Sequence, residues 1–275
     1  MLIAHSAQKL SQELDSLRLR AGQRRCVSMV TTKGGFHDGH GAVMNAAKTL
    51  SDVVVVVIAP GALERHDTVI SAPEFQDIGY VEQHEVDLLF LPGEEELFPL
   101  GYDHTSMVHL PAADNPLNAD PYRLTLHLKL INLVQPDIVL WGEKNFVEYH
   151  QVRRMVTDLD IRTQVQCVPT IRHADGTVVS SEFEHLDADT QAVVPILYET
   201  LQNTAHAIRT GARNYNKIEN TARLALREAG FEIQRFCILD EAHLQPADAQ
   251  TATFRILGEV SLGDLHLSDS IGCTL

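Results

Sequence analysis

A chain of 275 residues has room for one large or two modest domains and a substantial core. Hydrophobic residues at 44% and charged residues at 21% are ordinary globular composition and exclude disorder. With 22 Lys and Arg against 37 Asp and Glu, the net charge of −15 argues against nucleic acid or an anionic membrane as partner, while leaving room for a small anion held by local cations and backbone N–H groups.

The N-terminal stretch MLIAHSAQKLSQELDSLRLR reads as an amphipathic helix through Leu10, Leu14 and Leu17, and has no basic-then-apolar signal pattern. Strand and helix patterns then alternate. Cys26–Thr31 reads as a strand, followed by a Gly-rich turn and a helix from Gly39 to Leu50. Asp52–Ile58 is a β-branched run without polar alternation, the mark of a strand covered on both faces of a parallel sheet. Val53–Pro60 is the most hydrophobic stretch of the chain, yet far short of the roughly 20 residues that span a bilayer. Asp87–Leu91, Asp137–Trp141 and Gln164–Val168 repeat the strand pattern, with helices over Glu74–Gln83, Leu124–Val134 and Phe146–Leu159 between them. Five strands with crossover helices predict a doubly wound, Rossmann-like α/β sheet.

Beyond Pro169 the texture changes. Two helices, Asp187–Thr210 and Tyr215–Ala229, end at Gly211 and Gly230, and strands follow at Glu232–Leu239, Thr253–Ser261 and Asp264–Asp269. This predicts a nucleotide-binding domain over residues 1–170 and a smaller α+β lid domain over residues 171–275. Cys26, Cys167, Cys237 and Cys273 have no CxxC spacing, which fits reduced thiols in the cytoplasm.

The strongest local signal is VTTKGGFHDGH, Val30 to His40, lying between a strand and a helix. Its His-x-Gly-His core, His37 to His40, falls where a sheet edge and a helix N-terminus together make an anion site. Two imidazoles there can hydrogen-bond phosphate oxygens while charge builds at the α-phosphorus. Gly39 leaves room for an adenine ring. WGEKN, Trp141 to Asn145, also follows a strand, so Lys144 faces the same crevice with a point charge for polyphosphate. A third segment, ADGTVVSSE, offers Ser180 and Ser181 at a turn. His127, His150 and His173 read as surface or helix-face residues, and Glu94–Glu96 as a solvated helix start.

In this order the three motifs resemble the pantothenate synthetase (pantoate–β-alanine ligase) family of the His-x-Gly-His nucleotidylyltransferase superfamily. DVVVVVI, KLINLVQPDIVLWGEK, VPTIRHADGTVVSS and LGDLHLSDSI carry the likeness along nearly the whole chain. The resemblance implies an ATP- and Mg²⁺-dependent, AMP-forming ligase that joins a carboxylic acid to an amine through an acyl-adenylate, and a homodimer. It assigns His37, Gly39 and His40 to the nucleotide, Lys144 to phosphate, and Gly142 and Asn145 to the same nucleotide site. Ser180 and Ser181 match a flexible serine pair, and Asp77 an acidic residue of the magnesium site.

Departures cluster where the acid should sit. Lys33 replaces a methionine, and Glu64 and Glu148 stand where the family holds the acid with glutamines. Glu182 replaces an arginine that binds triphosphate. Paired glutamates would repel a carboxylate unless Lys33 or a metal compensates, which points to a changed acid or amine, with a cationic or amino-acid-like substrate as one expectation. A true pantoate–β-alanine ligase, a nucleotidylyltransferase that forms no amide, and a non-catalytic nucleotide-binding protein are the competing readings.

Overall fold

The computed structural model describes residues 1–20, 22–60, 75–111, 117, 119–180 and 186–275. Glu64, Ser181 and Glu182 lie outside the described residues. The chain forms two compact units, one from Met1–Leu110 with Ala119–Pro169 and the other mainly from Thr170–Leu275.

The first unit contains, in order, β1 (Leu2–Ala4), α1 (Ala7–Arg18), the short antiparallel pair β2 (Leu19–Arg20) and β3 (Gln23–Arg24), β4 (Val27–Thr32), α2 (Asp38–Leu50), β5 (Val53–Ile58), α3 (Phe75–Gln83), β6 (Leu88–Phe90), α4 (Glu94–Leu97), α5 (Pro121–Val134), β7 (Ile138–Gly142), α6 (Phe146–Asp158) and β8 (Gln164–Val168). Among the described residues six strands make one sheet in the order β1-β6-β5-β4-β7-β8. Every pairing in it is parallel. All six residues of β5 are buried, as its unbroken β-branched run requires. Each such valine contributes about 1.5–2 kcal/mol of burial. Val54, Val56 and Ile58 pack with Met44 and Ala47 of α2 and Leu89 of β6.

Two differences from the sequence expectations have plain causes. β1 adds a sixth strand beside β6, Leu2 opposite Leu88; three residues are too short to show a period. Helix α5 begins at Pro121 rather than Leu124, because Asp120 caps it by accepting the Tyr122 N–H at 3.0 Å and Pro121 needs no N–H partner there.

In the second unit, residues 171–180 fold back on themselves through an Arg172–Val178 bridge. Then come α7 (Ala188–Val193), α8 (Pro195–Arg209), α9 (Tyr215–Glu228) and an antiparallel sheet of β9 (Glu232–Asp240), β10 (Thr253–Leu262) and β11 (Leu265–Thr274) in the order β11-β10-β9. The single helix expected over Asp187–Thr210 is broken at Val194–Pro195, since proline cannot donate to the preceding turn. Leu201, Ile208, Leu226, Phe236, Phe254 and Ile256 form its core. Arg172 makes a two-pronged ion pair with Asp269 (2.6 and 2.9 Å) and lies over the Tyr198 ring, tying the 171–180 segment to β11.

Candidate active site

The site begins with chain direction. From β4 the chain steps to β5 and β6 on one side, then returns to place β7 and β8 on the other. β4 and β7 are therefore neighbours at the switch point, with Ser28 opposite Ile138 and Val30 opposite Leu140. In open α/β sheets the crevice beyond the carboxyl ends of such strands is where ligands bind. The His-x-Gly-His segment leaves β4 there, and the Lys144 segment leaves β7.

After Thr32 the backbone passes through Gly34 and Gly35 with φ of 93° and 63°, a region that favours glycine. Asp77, in the first turn of α3, clamps this turn: its carboxylate accepts the N–H of Gly35 at 3.1 Å and of Phe36 at 3.3 Å. A Cβ on Gly34 would lie 2.8 Å from Asp77 Oδ2. The close turn then delivers His37 to the N-cap of α2.

The two histidines are wired into that helix end. His37 Nδ1 accepts the Gly39 N–H at 3.1 Å, which puts the ring proton on Nε2. His40 Nδ1 accepts the His37 N–H at 3.4 Å, and His40 Nε2 then donates to Thr32 Oγ1 at 3.2 Å. The rings sit 4.2 Å apart between centroids. Burial, then His37, then Lys144, push the His40 pKa down to about 3, so this imidazole is neutral at physiological pH. Both nitrogens of His40 are engaged inside the loop, whereas the sequence reading aimed both rings at phosphate. His37, with its proton on Nε2 at the helix mouth, is the better placed donor.

Lys144 lies in a single 3₁₀ turn, Glu143–Asn145, between β7 and α6, and its charge reaches His40. Asn145 precedes α6 but makes no capping bond with its side chain. Gly142 has φ −72° and only Val43 Cγ2 at 3.7 Å from a virtual Cβ, so neither backbone nor packing demands glycine there. Ser180 is buried in the second unit.

A second cluster gathers around Glu148, in the first turn of α6. Its Oε1 is 3.0 Å from Nε2 of His127 on α5, a residue only 3% exposed. This corrects the surface reading of His127, which is buried among the leucines of α5 with its ring edge-on to Trp141 at 5.2 Å. Burial works to raise the Glu148 pKa, but the His127 hydrogen bond and charge, then Arg123 and Lys33, outweigh it and hold the carboxyl down at about 2. The compensation expected from Lys33 is thus shared with two residues the sequence reading missed. Their signal was available: Arg123 and His127 stand four apart on one face of α5, with Leu124, Leu126 and Leu128 between and beside them.

Among the described residues no group of three His, Cys, Asp or Glu is arranged to hold a metal ion, and no helix is long and apolar enough to cross a membrane. A lone carboxylate such as Asp77 suits Mg²⁺ only with phosphate oxygens and water completing the shell.

A doubly wound sheet whose switch point presents a His-x-Gly-His helix cap beside a strand-end lysine defines the nucleotide-handling class of His-x-Gly-His proteins. Two solved structures of pantothenate synthetase from Thermus thermophilus each match with a TM-score of 0.85 at 26% identity, over 98% of this chain and 99% of theirs. A pantoate–β-alanine ligase from Francisella tularensis, complexed with β-γ ATP and β-alanine, matches with a TM-score of 0.75 at 22% identity over 98% and 97%. The family model for pantoate–β-alanine ligase covers residues 2–272, and the chain belongs to that family of ATP-dependent, amide-forming ligases.

Proposed function

We propose that the protein activates a carboxylic acid with ATP and passes the acyl group to an amine, using an acid pocket altered from that of pantoate–β-alanine ligases. The observation that carries this reading is the pairing of the His37–His40 helix cap, in which His40 is neutral, with Lys144 at the switch point of the sheet. One acid oxygen attacks the α-phosphorus and the bond to pyrophosphate breaks. The amine nitrogen then attacks the acyl carbon, the bond to AMP breaks, and the amine gives up a proton.

In this reading His37 donates to the phosphate oxygens and His40 holds the loop in shape. Lys144 offsets charge on the departing pyrophosphate, and Gly39, Gly142 and Asn145 line the nucleotide. Mg²⁺, with Asp77 as its protein ligand, would neutralise charge on the triphosphate. Lys33, Glu64 and Glu148 form the acid pocket. Because Glu148 is already compensated by its own neighbours, an acidic substrate is supported there and no cationic substrate is required. Residues 1–170 act as the nucleotide-binding domain and residues 171–275 as the lid domain, in a cytoplasmic homodimer.

The test is hydroxylamine-trapped pyrophosphate release across hydroxy, keto and amino acids, repeated with amines and scored for AMP and amide. Acid-dependent pyrophosphate release followed by amide formation is expected, falling by roughly 10²-fold in His37→Ala. Pyrophosphate without amide would convert the reading to a nucleotidylyltransferase, and neither product with any acid would make the protein a non-catalytic binder.

A further inference from the structure

The His127–Glu148 contact is costly unless it serves something. His127 sits in a helix whose neighbouring buried positions are Leu124, Leu126, Leu130 and Ile131, where another leucine would bury more cheaply. Its Nδ1 is buried and has no hydrogen-bond partner among the described residues. An imidazole kept for structure would satisfy both nitrogens; this one satisfies only Nε2, on Glu148 Oε1. The Glu148 side chain is 25% exposed against 4% for His127, so the pair runs from the interior of the unit toward its surface.

An ionised carboxylate accepts hydrogen bonds and donates none. With Oε1 tied to His127, Oε2 is left to meet a donor, while Lys33 and Arg123 supply positive charge around the same carboxylate. The surroundings are two-signed: positive charge lies around a carboxylate that is itself an acceptor for a substrate hydroxyl or ammonium.

Resting on the reading that the acid binds at Glu148, we infer that His127 is a positioning residue that holds Glu148 as a fixed acceptor and thereby selects carboxylic acids bearing a hydroxyl or ammonium donor over those without one.

The experiment compares 2-hydroxy-3-methylbutyrate, valine and 3-methylbutyrate in acid-dependent ATP–pyrophosphate exchange, in wild type, His127→Leu, His127→Gln and Glu148→Leu. ¹⁵N signals of the His127 ring are followed on adding each acid. Wild type should favour one of the two donor-bearing acids over 3-methylbutyrate by about 10-fold or more, the worth of a hydrogen bond to a charged group. His127→Leu should raise the KM of that acid by a similar factor and leave the KM of ATP unchanged in a protein that still folds. His127→Gln, which retains a donor to Glu148, should recover most of the loss, and Glu148→Leu, which removes the acceptor, should erase the discrimination. An unchanged acid KM and unchanged discrimination in a folded His127→Leu would overturn the inference and leave the ligase reading intact. If wild type shows no exchange but donor-bearing acids alone shift the His127 signals, the ligase reading fails and the inference stands. Neither exchange nor shift would overturn the inference.

Discussion

Acidifying the protein from pH 7 to pH 5 should weaken its first unit by about 2 kcal/mol through His40 alone. In the folded chain this imidazole takes a proton only near pH 3, against an ordinary value of 6.5. Between those values the unfolded chain binds the proton and the folded chain does not, so stability falls as pH drops below 6.5. The size of the loss from pH 7 to 5 is set by the unfolded value, since a folded value anywhere well below 5 gives the same about 2 kcal/mol. Glu148, depressed from 4.5 to about 2, adds its loss only below about pH 4.5 and does not confuse the window. Trp141 is the sole tryptophan of the chain, is buried in β7, and lies in the same unit as His40. Its fluorescence therefore reads that unit in urea without assuming that both units unfold together. His40→Gln should flatten the pH dependence by about 2 kcal/mol between pH 7 and 5. Curves for wild type and variant that stay parallel within about 0.5 kcal/mol would refute the argument.

Gly34→Ala should destabilise the same unit by about 1–3 kcal/mol, because it combines a φ of 93° with a Cβ pressed on Asp77; an unmoved urea midpoint would contradict the clamp. Arg172→Ala should leave Asp269 buried without its cation and cost about 3–5 kcal/mol, read as faster amide exchange in β11. Exchange there at the wild-type rate would mean the pair does not hold the 171–180 segment. The double variant Glu64→Gln with Glu148→Gln should gain turnover with pantoate and β-alanine over wild type, and equal turnover in the two would remove the altered acid pocket.

The parallel sheet was legible because β5 repeats one β-branched residue type and because Asp52, Asp87 and Asp137 stand just before the apolar runs of β5, β6 and β7. Those aspartates also have structural work: Asp87 accepts the Val54 N–H and Asp137 the Val27 N–H. The His37–His40 segment was legible because a strand, a Gly-Gly turn and a helix start fall within eleven residues. The Glu148 cluster was not, for its members come from the β4 loop, α5 and α6, and only folding brings them together. His127 was read as a surface or helix-face residue although leucines flank it in the sequence. The hydrogen bonds of His40 to Thr32 and to the His37 backbone were not legible, since they depend on how the turn folds.

The most direct test of the account is a crystal of the protein soaked with ATP. The triphosphate should lie at the N-terminus of α2, with His37 Nε2 and Lys144 Nζ within hydrogen-bond reach of its oxygens and His40 still bonded to Thr32. A nucleotide bound away from the switch point of β4 and β7, with His37 and Lys144 untouched, would contradict it.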